Sequence, residues 1–154
     1  MTEYDEVPAF FRKNIGKDIP TEAEIMSNKA SQAISSLTGQ YVDQAKADLQ
    51  VMKKLLSQAR KATPGKRFRM IREDFFMKVH DMKGQGSTFG YPLLTEVGGY
   101  ACDYLRNKSE ITQEDLGVLD RLVADIERVL SDDLTGMGGL AGSEIRTHLE
   151  KPAE

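Results

Sequence analysis

Apolar residues recur along the chain at steps of three and four, the period of a helix, and no segment shows the sustained alternation of a half-buried strand. Thr21 and Glu24 form a capping-box pair, so a helix is expected to begin there. Met26, Ala30, Ala33, Leu37, Tyr41, Ala45, Leu49, Met52, Leu56 and Ala59 carry its apolar stripe to about residue 62. That run is longer than a small bundle needs, and Gly39 leaves open whether it is one helix or two. Thr63 and Pro64 suit the cap and first position of a second helix bearing Phe68, Ile71, Phe75, Val79 and Met82. The glycines at 84, 86 and 90 should loosen its end. Pro92 opens a third helix with Leu94, Val97, Ala101 and Leu105, in which Gly98 and Gly99 permit close approach by a neighbour. Thr112 and Asp115 repeat the capping pattern ahead of a fourth helix carrying Leu119, Leu122, Val123, Ile126, Val129 and Leu130.

Short connections between long helices make successive helices antiparallel. The expected fold is all-α: an antiparallel up-and-down four-helix bundle over about residues 40–133, within a domain of residues 21–133 that includes the additional or extended N-terminal helix. Residues 1–20 hold Pro8, Gly16, Pro20 and the pair Phe10 and Phe11, and are expected to form an arm that docks by its aromatics. Residues 134–154 are glycine-rich and are expected to form a flexible tail with at most one short amphipathic turn, His148 in it being solvated.

At 154 residues and 40% hydrophobic, the chain suits a single core. With 21 basic against 24 acidic residues, a net charge of -3, it has no global footprint for nucleic acid or an anionic membrane. The lone Cys102 permits neither an internal disulfide nor a zinc cluster, and its apolar neighbours suit a buried thiol in a reducing cytoplasm. Acidic residues near the amino terminus do not suit a signal peptide, and no apolar run is long enough to span a bilayer. A cytoplasmic protein is expected.

Chemistry concentrates in residues 79–93, VHDMKGQGSTFGYPL. On a helical projection His80 lies roughly 140 degrees from the core stripe of the second helix. It shares a wet face with Lys66, Arg69, Glu73, Phe76, Gly84 and Ser87. A glycine inside a helix costs about 1 kcal/mol relative to alanine, so Gly84 requires a reason. Helical side chains lean toward the amino terminus, and a side chain at 84 would lie over the imidazole; glycine leaves it uncovered. Lys83 can bring an ammonium beside the ring, favouring an anion attached to it, such as a phosphoryl group.

HDMKGQGSTFG resembles the motif of histidine-containing phosphotransfer (HPt) domains: His80, then Met82, Lys83, Gly84, Gly86, Phe89 and Gly90 at the family's offsets, without a gap. The motif covers about fifteen residues, and the helical pattern extends the resemblance over most of residues 40–133. It implies that His80 is phosphorylated, that Lys83 steadies the phosphoryl group, that Gly84 admits the partner, and that Gly90 lets the chain turn. Gln85 stands where many members carry serine, which alters the hydrogen bonding available beside the ring. The implied protein is a phosphoryl carrier of a bacterial two-component phosphorelay, without kinase or hydrolase activity of its own. Its partners would be a response-regulator receiver domain and a hybrid histidine kinase. The receiver would bring the carboxylates, lysine and magnesium, so no cofactor or metal site is expected here. Phe76 is the expected apolar anchor for docking, with Arg69 and Ser87 at its margins.

Other readings fit less well. GQGSTFG follows a helix, whereas a phosphate-cradling nucleotide loop follows a strand. The cluster Lys66, Arg67, Arg69 and Arg72 is too brief for nucleic-acid recognition and suits steering of an acidic partner. Met70, Met77 and Met82 at helical spacing suit core filler or contact surface better than a cofactor box. The phosphoacceptor domain of a histidine kinase usually has an acidic residue after its histidine, not Lys and Gly at three and four, and no stretch here suits its ATP-binding domain. A helical scaffold or inhibitor that binds a receiver, or self-associates through the long first helix, is the alternative from another class.

Overall fold

The computed structural model describes residues 21–63 and 67–150. The expected aromatic arm, and Pro64 and Lys66, lie outside them. The described residues form five α-helices and one 3-10 turn: α1 Glu22–Arg60, α2 Arg69–Gly86, α3 Pro92–Arg106, η1 Gln113–Asp115, α4 Leu116–Ser131 and α5 Gly139–Glu150. Their one β interaction is an isolated antiparallel bridge, Phe68 with Ile111. No helix among them is long and apolar enough to cross a membrane.

The chain divides into two compact units, one ending at Gln40 and one beginning at Tyr41. In the first, the Thr21 hydroxyl accepts the Glu24 N–H at 3.1 Å and the Glu24 carboxylate accepts the Thr21 N–H at 3.3 Å, so the capping box is formed. Gly39 lies inside α1, with no helix end there. Ile25, Met26, Ile34 and Leu37 are exposed.

In the second unit the helical period sorts the side chains as expected. Tyr41, Ala45, Leu49, Met52, Leu56 and Ala59 of α1 enter a core with Phe75, Val79 and Met82 of α2. Leu93, Leu94, Val97, Ala101, Cys102 and Leu105 of α3 and Leu119, Leu122, Ile126 and Val129 of α4 complete it. Helix ends are satisfied by side chains from elsewhere. Gln113 donates to the Ala62 carbonyl at 2.8 Å, just past α1, and Arg72 donates to the Leu105 carbonyl at 2.7 Å near the end of α3.

Two expectations need correction. α2 starts at Arg69 after Phe68, not at Pro64, because Phe68 is extended and exchanges backbone hydrogen bonds with Ile111. Within the segment expected to be a flexible tail, Gly139–Glu150 folds as α5. Ile145 is fully buried, Arg146 bonds Glu96 of α3 at 3.0 Å and Arg128 of α4 bonds Glu144 at 2.6 Å. His148 is accordingly not a free solvated residue: its Nδ1 lies 2.9 Å from the buried carboxylate of Asp125. Burial raises that carboxyl above the ordinary range, and His148, Arg121 and Arg128 pull it only part of the way back.

Asp115 shows the opposite balance. Burial alone would raise its pKa, but bonds from the Tyr104 hydroxyl at 2.6 Å, the Thr112 N–H at 2.8 Å and the Lys108 ammonium at 3.2 Å outweigh it, and the net direction is down. A carboxyl lowered by folding stabilises the fold above its unfolded value of about 4, and that contribution disappears as pH falls through the lower folded value. Asp115→Asn is expected to cost about 1.5–3 kcal/mol near neutral pH. The gap from wild type should narrow below about pH 4 in denaturant melts run across pH.

Candidate functional site

The residues singled out in the 79–93 stretch sit on the last two turns of α2 and the turn that follows. Val79 and Met82 anchor this end in the core, and the Tyr41 hydroxyl donates to the Met82 carbonyl at 2.8 Å, tying α1 to it. Burial raises that phenol to about 12, so it stays a donor. Phe89 stacks on Tyr41 with ring centroids 5.1 Å apart, and Gly90, at φ 89°, takes the left-handed conformation that turns the chain into α3.

α3 presses closely on α2 along this stretch. A Cβ on Gly98 would lie 2.8 Å from Lys83 Cβ and 3.1 Å from the Val79 carbonyl oxygen, and one on Gly86 would lie 2.6 Å from Thr95 Oγ1. Glycine is therefore what allows the approach. Thr95 uses it: its hydroxyl donates to the Lys83 carbonyl at 3.1 Å and accepts the Ser87 N–H at 2.9 Å, while the Ser87 hydroxyl donates to it at 3.1 Å. Of Gly98 and Gly99, only Gly98 is tightly enclosed.

On the opposite face His80 stands clear, with its side chain 62% exposed. Its ring is stacked against Phe76 at 6.0 Å between centroids, and Nδ1 lies 3.9 Å from an Asp81 carboxylate oxygen, beyond hydrogen-bond length. Nothing lies within 4 Å of where a Gly84 Cβ would be, neither the His80 ring nor another helix. No packing requirement among the described residues explains this glycine. A methyl at 84 also falls short of covering the imidazole.

The remaining expected site residues are more varied. Lys83 is half-buried, its stem near Gly98 and Gly99, and its ammonium makes no ion pair among the described residues and no hydrogen bond to His80. Its charge acts on the buried Cys102, lowering a thiol that burial raises more. Gln85 is exposed, and its side chain makes no hydrogen bond to the ring. Ser87 is exposed, but its hydroxyl is engaged by Thr95. Arg69 is exposed, at the far end of α2. Phe76 is only half-buried: it packs on the core edge, with the Arg72 guanidinium 4.7 Å from its ring centroid. Met70 and Met77 are 66% and 57% exposed, so they are surface rather than filler. Thr95 was missed, because a threonine inside an apolar helix carries no signal until its partner helix is placed.

No cluster of three or more histidine, cysteine, aspartate or glutamate side chains among the described residues is placed to hold a metal. Gly98→Ala is expected to destabilise by about 1–3 kcal/mol through overpacking. Gly84→Ala should stabilise by roughly 0.5–1 kcal/mol, since it relieves a helix interior without a clash. Urea melts of the two variants test this contrast.

Compared with family models, with curated proteins and with solved structures, the chain finds no match in any of the three.

Proposed function

We propose that this protein is a histidine phosphotransfer protein, passing a phosphoryl group between receiver-domain aspartates through His80. On this reading the second half of α1 together with α2, α3 and α4 forms the four-helix bundle of that family. The observation that carries the proposal is the exposed His80 followed one turn later by a glycine with no packing role among the described residues, at the spacing of the HPt motif. A residue that loses helix stability without relieving any internal clash is best accounted for by something that must approach from outside.

The chemistry follows from the placement. Nδ1 lies on the side of Asp81, at 3.9 Å, and the side chain is largely exposed, so Nε2 is assigned as the attacking atom. The Nε2 lone pair attacks phosphorus in line, an N–P bond forms, and the bond from phosphorus to the partner's aspartyl oxygen breaks, returning a carboxylate. Such transfers pass through a loose transition state that depends on positioning and charge. The Lys83 ammonium, without an ion pair among the described residues, is the cation assigned to the phosphoryl oxygens, which it would meet by turning its flexible stem away from α3. Magnesium, held by the receiver, neutralises charge on the same group. Met77 and the exposed edge of Phe76 supply apolar contact beside the histidine.

Incubation with a phosphorylated receiver should place acid-labile, base-stable phosphate on the wild type and none on His80→Gln. Lys83→Ala should slow transfer about tenfold while leaving receiver binding nearly unchanged, as expected of a group acting on the transferring phosphoryl. Label persisting on His80→Gln contradicts the proposal. Wild type that binds the receiver and stays unlabelled favours the scaffold reading. That second reading draws on the exposed Ile25, Met26, Ile34 and Leu37 of α1, and a solution mass of two chains would support its self-association.

A further inference from the structure

The start of α2 and the end of α3 border an open cleft of about 390 Å³ whose wall carries Arg69, Arg72, Arg106 and Lys108 against one carboxylate, Glu73. Two of these cations are already paired outside the cleft, Arg106 with Asp103 at 2.6 Å and Lys108 with Asp115 at 3.2 Å. Arg69 and Arg72 have no carboxylate partner among the described residues. Arg72 is also held in place. It donates to the neutral Leu105 carbonyl and lies over the Phe76 ring, so its charge is fixed in position without being neutralised. A preorganised guanidinium of this kind loses little freedom when it meets a carboxylate.

The cleft is continuous with the His80 surface. Arg72, Phe76 and His80 follow at four-residue steps on α2, the guanidinium on the aromatic ring and that ring against the imidazole. His80 lies 11 helical steps beyond Arg69, about 16 Å along the axis. A protein interface of ordinary size covers about 800 Å² per partner, a patch about 30 Å across. A partner patch of that span that includes His80 and runs along this face of α2 also covers the cleft.

We propose that the cleft is a second anchoring point for the partner that meets His80, and that it receives an acidic segment of that partner through aspartate or glutamate side chains. The identity of the partner rests on the reading of His80 as phosphoryl acceptor. Each exposed contact is individually weak, so the cleft acts mainly by steering and orienting the encounter, and salt screens it.

The probe is a hexaglutamate peptide titrated into the isotope-labelled full chain and followed by amide chemical shifts. Saturable shifts confined to residues 69–73 and 106–109, diminished by high salt, are expected. Arg69→Glu combined with Arg106→Glu should weaken the peptide at least tenfold without loss of helix signal. With a phosphorylated receiver, the same double variant should lower the second-order transfer rate about tenfold, an effect that vanishes at saturating receiver. The proposal is overturned if the peptide gives no saturable shift, if charge reversal leaves its binding unchanged, or if inorganic phosphate occupies the cleft as tightly as the peptide. The two readings fail separately: peptide binding without phosphotransfer contradicts the partner's identity, and phosphotransfer without peptide binding contradicts the cleft.

Discussion

The contact on which the site depends is the close seam between α2 and α3. Gly98 and Gly86 bring the backbones to a distance that no Cβ would permit, and Thr95 bridges the gap with bonds to the Lys83 carbonyl and to Ser87. The seam fixes one face of α2 and so determines which side chains lie on the other. Lys83 is caught at the boundary, its stem near α3 and its ammonium without an ion pair among the described residues, while His80 and Gly84 are exposed. Two glycines therefore act in opposite senses within a single turn. Gly86 is required by what a Cβ there would meet, whereas a Cβ on Gly84 would meet nothing among the described residues.

Around that seam the unit is held by a few polar connections placed where helices end. Tyr41 ties α1 to the carbonyl of Met82, Arg72 and Gln113 meet the carbonyls near the ends of α3 and α1, and Asp115 gathers Tyr104, Thr112 and Lys108. Arg72 serves two purposes. The bond that finishes α3 also fixes a guanidinium over Phe76, and Phe76 in turn backs the imidazole of His80. Fold and proposed function thus share side chains along one face of α2.

Much of this was legible in the chain. Tyr41 to Ala59, Phe75 to Met82 and Leu119 to Val129 are buried at the positions their spacing indicates, because burial of an amphipathic helix is governed by local periodicity. The capping boxes at Thr21 and Thr112 likewise need only four residues to be recognised. The exposure of His80 followed from the same projection. What could not be read depends on distant pairs. α5 was hidden by the glycines before it, because Ile145 gains its burial only from helices elsewhere in the chain, and His148 meets Asp125 across 23 residues. The start of α2 was misplaced because its boundary is set by the bridge from Phe68 to Ile111. The basic cleft exists only once the ends of α2 and α3 are brought together.

The proposed role of His80 stands or falls on where the phosphate resides. The most direct measurement is fragmentation mass spectrometry of the intact chain, under conditions that preserve phosphohistidine, after it has taken phosphate from a phosphorylated receiver. A single phosphoryl group on the imidazole of His80 is the expected result. Phosphate on His148, or on a side chain other than His80, would contradict the role given to that exposed histidine and to the glycine beside it.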